Sequence, residues 1–437
     1  MSALIPGPSG PPLLGNTLDL RKDPTGYLLR LQKEYGDLVR IHLGWIPITL
    51  VFHPDQVRQI LVENHKSFIK SRGTRLTELI LGRGLLTTEG KEHRRQRKLI
   101  QPAFQKRRID CYAPFIQEAC ANLLSGWKDG EIIDLHRNMM RLALVIASRS
   151  LFDADVESDA PHIGRALDRA MQDFNRVVSH PLGRYLVKLP TPAGMRFRAA
   201  RRDLDRIIYR IINDRKANPE DRGDFLSILF SAADEEGGMT EKQIRDEAMT
   251  IFLAGHETTA NALSWSLYLV SKHPEFEARL QKELSNLSRI EPDTPLPLTE
   301  ALFAESMRLY PPVWALGREA METVEIGGHT FAPGTTFLLS PYVTHRDPRF
   351  WDSPLQFQPD RWLDPDLLKH PRFRYFPFGG GPRICIGEPF AWMEGKMALA
   401  SILRDWSFKI QEKPPVREKP LVTLRPEYGI HARLKQR

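Results

Sequence analysis

The stretch FPFGGGPRICIGEPF, Phe376 to Phe390, restricts the chain more than any other part of it. Three consecutive glycines let a backbone approach another group closely. A single cysteine, Cys385, follows them two residues after Arg383. Gly387, Glu388 and Pro389 then open an apolar helical pattern (Phe390, Trp392, Met393, Met397, Leu399, Ile402, Leu403), with Pro389 suited to a first-turn position. Cys385 therefore sits just before a helix N-terminus, where unpaired N–H groups and the positive dipole end favour the thiolate, the form that ligates metal. Taken alone, these features fit a buried structural cysteine beside a glycine-rich turn equally well.

The full spacing of Phe378, Gly381, Arg383, Cys385 and Gly387 decides between the two, because it resembles the cysteine-ligand loop of the cytochrome P-450 superfamily at every fixed position. The resemblance implies that Cys385 is the proximal thiolate ligand of a b-type haem, with Phe378, Arg383 and Gly387 as its cofactor-binding neighbours. It also implies the family's fold, a mainly α triangular prism with small β-sheets. The chain is then one haem domain over 1–437, with a β-containing lobe at about 36–54 and 321–340 and a helical lobe for the remainder.

The composition agrees with this and excludes several other classes. A chain of 437 residues with 41% hydrophobic and 27% charged side chains can bury a large core. No linker, repeat or low-complexity segment interrupts it. Three cysteines (Cys111, Cys120, Cys385) make no disulfide framework, and nothing N-terminal reads as a signal peptide. No run reaches the roughly 18 to 20 apolar residues that span a bilayer. The opening MSALIPGPSGPPLLGN resembles the Pro/Gly-rich segment before which anchored relatives carry their membrane helix, so a soluble, cytoplasmic, bacterial-type monomer without an anchor is expected. A net charge of +8 raises the question of nucleic acid, but no finger, recognition helix or aromatic–basic interleaving accompanies it. A basic surface that docks an acidic protein is the better reading.

In chain order, Pro24 to Tyr35 reads as a helix, and Leu38 to Leu43 with Ile48 to Phe52 reads as a hairpin around Gly44-Trp45-Ile46-Pro47. Asp55 to Glu63 resumes helical spacing, while Phe68 to Leu86 is irregular. In the resembling fold that region overlies the haem, and Leu76, Leu79, Ile80, Leu85 and Leu86 give it an apolar lining. The segment TTEGKEHRRQRKLIQPAF puts Lys91, Arg94, Arg95 and Lys98 on one helical face and His93 with Arg97 on another. The family carries Trp and Arg four residues apart here, both reaching a haem propionate; His93 stands in the Trp position. Further on, the turn-prone HPLGRYLVKLPTPAGM, His180 to Met195, resembles the connection over the family's substrate entrance.

A long helix follows. Thr240 with Gln243 makes a capping box and Met239 with Ile244 a hydrophobic staple, and the helix can run to about Lys272 before His273-Pro274 stops it. At 1.5 Å per residue that is roughly 45 to 50 Å. AGHETT, Ala254 to Thr259, lies inside it, and both the mid-helix Gly255 and the polar run break local rules in a way that marks function. Ala254, Gly255, Glu257, Thr258 and Thr259 match the family's oxygen-binding groove. That match implies a Thr258 hydroxyl that disrupts regular helix hydrogen bonding and an acidic Glu257 that connects to solvent. Phe252, two residues before Ala254, is a candidate for the substrate pocket.

Thr299 to Tyr310 reads as a helix stopped by Pro311-Pro312, and places Glu305 and Arg308 on one face. In the family this pair is buried and joined by the arginine of a Phe-x-Pro-x-Arg segment, here Phe357, Pro359 and Arg361, as a structural brace. Val313 and Leu316 are further pocket candidates, and Arg318 matches a propionate ligand. Val324 to Ile326, Gly327-Gly328 and His329 to Phe331 read as a two-residue hairpin, with Thr335 to Leu339 another strand. Leu421 to Leu424 and Ile430 to Arg433 read as a terminal hairpin; in the resembling family the tip of that hairpin reaches the substrate pocket, which makes Tyr428 a candidate.

The function implied is haem-dependent monooxygenation of a lipophilic small molecule such as a fatty acid or terpenoid. O2 is split, and electrons come from a separate ferredoxin or flavodoxin-type donor at the basic face. Two alternatives stand beside it. A peroxide-driven peroxygenase of the same family lacks the acid–alcohol pair present here as Glu257 and Thr258. A haem-thiolate gas sensor needs neither that pair nor an apolar funnel.

Overall fold

The computed structural model describes residues 5–154, 163–164, 166, 169, 185, 187, 189–234, 237–366 and 371–437. Much of the segment 180–195 singled out above lies outside the described residues; its end, from Pro192, is already the start of the helix Pro192–Ala217. The chain divides into two compact units, Met1–Arg75 with Ala304–Cys385, and Leu76–Phe303 with Ile386–Arg437.

The first unit is built on a five-stranded sheet in the order Leu38–Leu43, Ile46–Val51, Thr336–Leu339, Leu316–Ala320, Phe68–Lys70. The hairpin closes at Gly44, whose positive φ of 62° suits glycine, so its second strand starts at Ile46, two residues earlier than the sequence pattern placed it. Pro47 is accommodated because pairing to the third strand begins only at Ile48. Gly327 and Gly328 have φ of 57° and 76°, the type I′ turn of a two-residue hairpin, and join Val324–Ile326 to His329–Phe331. One face of the sheet packs Tyr27, Leu28 and Leu31 of the helix Pro24–Tyr35 against Val39, Ile41, Leu50 and Phe52. The other buries Leu38, Val51, Phe68, Phe337 and Leu339 with Leu61, Phe373 and Phe376.

The second unit is helical. Its centre is the helix Glu241–Ser271, which is capped as expected: the Thr240 hydroxyl takes the Gln243 N–H while the Gln243 side chain takes the Thr240 N–H. With 31 residues it is about 46 Å long. It packs along Leu135–Phe152 and Glu388–Asp405, the helix that follows the cysteine. A three-stranded sheet, Trp406–Ile410, His431–Gln436 and Ile132–Asp134, closes one side. The terminal hairpin read from the sequence does not form. Leu424–Pro426 pairs with Glu418–Pro420, and His431–Gln436 pairs with Trp406–Ile410. Alternation had given each strand its inward face but carried no information about its neighbour. Among the described residues no helix is long and apolar enough to cross a membrane.

Candidate active site

Cys385 ends the first unit. Its backbone N–H donates to the Phe378 carbonyl (3.0 Å), Gly379 N–H to Phe376 (2.9 Å) and Ile384 N–H to Gly381 (3.0 Å), so the loop is wound on itself. Gly379 and Gly381 have φ of 74° and 66°. A Cβ at Gly381 would collide with the Leu61 carbonyl, and one at Gly380 with the Phe373 ring. The glycines are therefore required by the loop's own packing. Arg383 closes the short 3-10 turn Gly381–Arg383 and is partly exposed, as is Phe378. The Cys385 thiol is exposed. Gly387 caps the following helix Glu388–Asp405 from its N-terminal side.

The loop is braced from behind, within the same unit. Phe376 N–H donates to Nε2 of the buried His345 (2.9 Å), which makes that nitrogen the lone-pair site of a neutral imidazole. Burial, with Arg308 and Arg346 nearby, holds its pKa well below the ordinary value. The fully buried Arg308 uses all five N–H groups. Nε and Nη2 donate to Glu305 (2.8 Å each), Nη1 to the His345 and Pro354 carbonyls (2.8 and 2.6 Å), and Nη2 to Gln356 (3.0 Å). Glu305 also accepts from Gln358 N–H (2.9 Å), Arg361 Nε (3.4 Å) and Trp362 Nε1 (2.9 Å). The Glu305, Arg308 and Arg361 cluster that the resemblance implied is present. Trp362 is an addition that no spacing rule pointed to.

In the second unit the long helix carries Ala254 exposed, while an added Cβ at Gly255 would meet nothing within 4 Å. The protein thus leaves a bare strip on an otherwise buried helix. Thr258 lies one turn further, its hydroxyl donating to the Ala254 carbonyl (2.6 Å). The helix runs through this point unbroken. The hydroxyl is a second donor aimed at a carbonyl of its own helix, the i to i−4 back-bond by which a threonine competes with regular helix hydrogen bonding.

Glu257, expected to connect to solvent, is enclosed. Its carboxylate is buried, accepting from Arg425 Nε (2.7 Å) and from the Thr423 hydroxyl. Burial raises its pKa, but the Arg425 charge and these two hydrogen bonds outweigh burial and hold it below the ordinary carboxylate value. Asn261 Nδ2 donates to Thr423 Oγ1 (3.2 Å) and Trp265 Nε1 to the Leu424 carbonyl (3.1 Å). Residues 257, 261 and 265 form one i, i+4, i+8 stripe and dock the hairpin 418–426. His256 is buried, and burial lowers its pKa to about 4, so it is neutral.

On the helix Gly90–Ile100, Lys91, Arg94 and Lys98 are exposed, while Arg95 donates to the Gly237 carbonyl (2.8 Å). His93 is buried and Arg97 partly so. In the first unit Arg318 is buried on the strand Leu316–Ala320 and donates to its neighbour Gly317 (3.0 Å). Of the pocket candidates, Leu76, Leu86, Val313 and Leu316 are partly exposed and Tyr428 is half exposed. Phe252 is a core residue, almost fully buried against Phe152.

The family model for cytochrome P450 matches residues 5–432. The chain belongs to the cytochrome P450 family. Cyclooctatin synthase of Streptomyces melanosporofaciens is 39% identical over 95% of this P450 and 92% of its own length. Cyclooctat-9-en-7-ol 5-monooxygenase of the same organism is 33% identical over 92% and 89%. The solved structure of retinoic acid-bound cyanobacterial CYP120A1 superposes with a TM-score of 0.89 at 24% identity, covering 100% of both chains, and shows the same fold. This P450 is therefore an oxygenating oxidoreductase, a monooxygenase whose cofactor is a thiolate-ligated haem. The first unit's own residues fit such a cofactor: an exposed thiol stands on a glycine-wound loop.

Proposed function

We propose that Cys385 supplies the thiolate of this monooxygenase, that Thr258 and Glu257 manage its protons, and that its substrate is a lipophilic carbocycle of the terpenoid kind. The state of the three thiols carries the first assignment. Cys120 is sealed in the core, and burial, then Glu394, pushes its pKa up to about 12. Cys111 donates to the Arg107 carbonyl (3.3 Å) of its own helix. Only Cys385 combines exposure with a loop wound on glycines just before a helix N-terminus, where a thiolate is favoured. Replacing Cys385 by Ser should abolish the red-shifted CO band of thiolate-ligated ferrous haem. An unchanged band in a haem-loaded variant overturns the assignment.

In this reading Arg97, Arg318 and His93 hold the haem propionates, and Arg383, Phe378 and Gly387 shape the ligand loop. The haem supplies O2 splitting and oxygen insertion. The protein must keep water out and deliver protons in order. The Thr258 hydroxyl spends its proton on Ala254, which leaves its oxygen lone pairs to hold a water at the bare strip. Glu257, one residue before Thr258 on the same helix turn, stays ionised beside Arg425.

The substrate class rests on the apolar, partly exposed Leu76, Leu86, Val313 and Leu316 and on a relative named for a ring-system alkenol. Carbocyclic alkenes and alkenols should shift the haem spin state while linear fatty acids do not; the reverse ranking replaces this class. Electrons enter through an acidic ferredoxin or flavodoxin-type donor on Lys91, Arg94 and Lys98, with Arg95 tied back to Gly237. Reversing Arg94 and Lys98 to Glu should slow reduction by an acidic ferredoxin and flatten its salt dependence. Unchanged rates place the donor elsewhere.

A further inference from the structure

We propose that Arg245, Asp246 and Glu247 form a clamp that fixes the loop 79–88 to the long helix, and that this clamp sets how tightly the apolar pocket closes on its ligand. The second half rests on the reading above that this loop lines the pocket. The attachment itself is dense. Arg245 Nη1 donates to the Leu81 carbonyl (2.9 Å) and Nη2 to Ile80 (3.1 Å). Asp246 Oδ2 accepts from Arg83 N–H (2.8 Å), and Glu247 Oε2 from Leu85 N–H (2.9 Å). A Cβ at Gly82 would collide with the Asp246 carboxylate, and one at Gly84 with the Thr250 hydroxyl, so loop and helix touch without a gap. Arg245 also grips Asp205 of the helix Pro192–Ala217 through Nε (2.8 Å). Three successive helix residues thus bind one loop and one neighbouring helix.

The clamp has one unbalanced member. Arg245 and Lys242 both pair with Asp246 (2.8 and 3.0 Å), and Arg83 pairs with Glu92. Among the described residues no cation pairs with Glu247, which is fully buried with Oε1 lacking any hydrogen-bond partner. The charged groups around it are acidic, Asp246 on its own helix and Glu92 on Gly90–Ile100. Burial, then these neighbours, push its pKa up to about 8 against the Leu85 hydrogen bond. Glu247 is therefore protonated at neutral pH, and the closed clamp is the protonated one. Because the folded value is raised, closure is complete below it and lost as pH rises through about 8. A carboxylate formed there, against two other acids, is relieved only by lifting the loop to admit water.

The test uses the haem-loaded full chain between pH 7 and 9. Two probes are 4-phenylimidazole, whose ring must fit the pocket, and imidazole, which needs only the haem; both are read by optical difference spectra. A third readout, hydrogen exchange at the Arg83 and Leu85 amides corrected for base catalysis, needs no ligand. If the phenyl probe selects only the protonated clamp, its Kd, counted for the neutral free base, should rise about tenfold from pH 7 to 9, with that of free-base imidazole unchanged. Exchange should quicken in parallel. Glu247→Gln keeps an acceptor for Leu85 and cannot ionise, so both pH dependences should vanish with pH 7 affinity retained. Glu247→Met should also be flat with pH but weaker throughout, which serves if the Gln variant fails to fold. A flat wild-type profile, or a slope surviving in the Gln variant, overturns the clamp. Faster exchange at unchanged phenylimidazole affinity overturns its link to the pocket. Neither result touches the Cys385 assignment, which the CO band decides separately.

Discussion

Glu305 in the first unit and Glu394 in the second are both helix carboxyls sealed from solvent, and their surroundings are opposites. Glu305 is saturated: five donors from Arg308, Arg361, Trp362 and a backbone N–H converge on its two oxygens. Glu394 has no well-formed hydrogen bond on either oxygen; the Thr259 hydroxyl beside it works to lower its pKa, and the Cys120 thiol lies nearby. Burial therefore lifts its pKa well above the ordinary value. Glu257 stands between them, buried but paired through one oxygen. A saturated buried charge is a rigid brace whose loss is costly, while a starved acid stays neutral and answers to pH.

Glu305→Ala should break the comparison most severely. It strands the Arg308 charge in the core, at about 3–5 kcal/mol, read as a markedly lowered midpoint in a urea titration. Arg308→Lys should fail as well, because an ammonium offers three donors to a site built for five. A loss below about 1 kcal/mol would show that the network is ornamental.

Arg425→Met should cost about 3 kcal/mol at pH 7 by leaving Glu257 buried without its cation. Since the Glu257 pKa is depressed in the folded protein, the pair contributes stability above the unfolded value of about 4.3 and loses it as pH falls. The gap between wild type and variant should close toward acid in urea melts taken across that range. A gap that is constant with pH would mean that Arg425 only fills space.

Glu394→Gln should act in the other direction, stabilising by about 1–2 kcal/mol at pH 8. The folded state holds a proton that the unfolded chain releases above about 4.3, so the wild type loses stability as pH rises from there and the variant does not. Melting temperatures at pH 5 and 8 check this, and an unchanged difference between the two places Glu394 among the ionised acids.

Thr258→Ala is the smallest change in stability, within about 0.5 kcal/mol, because it removes one side-chain bond back to its own helix. Its effect should instead fall on product per reductant consumed, with peroxide appearing in compensation. Coupling at the wild-type level would make Thr258 structural.

Local rules could be read from the residues alone. Thr240 and Gln243 close the capping box, and Gly327-Gly328 turns its hairpin. In each case the deciding groups lie within a few residues, so backbone geometry ties sequence to structure directly. The partners that set charge lie far off in the chain. Arg425 is 168 residues from Glu257, and Trp362 is 57 from Glu305. No periodicity reaches so far: it could show that Glu257 and Glu394 lie on helices, and left open which would find a cation. The terminal strands were assigned the wrong neighbours for the same reason. Whether a buried acid is a brace, a paired carboxylate or a neutral group depends on which donors other segments bring to it, and only the tertiary structure brought them.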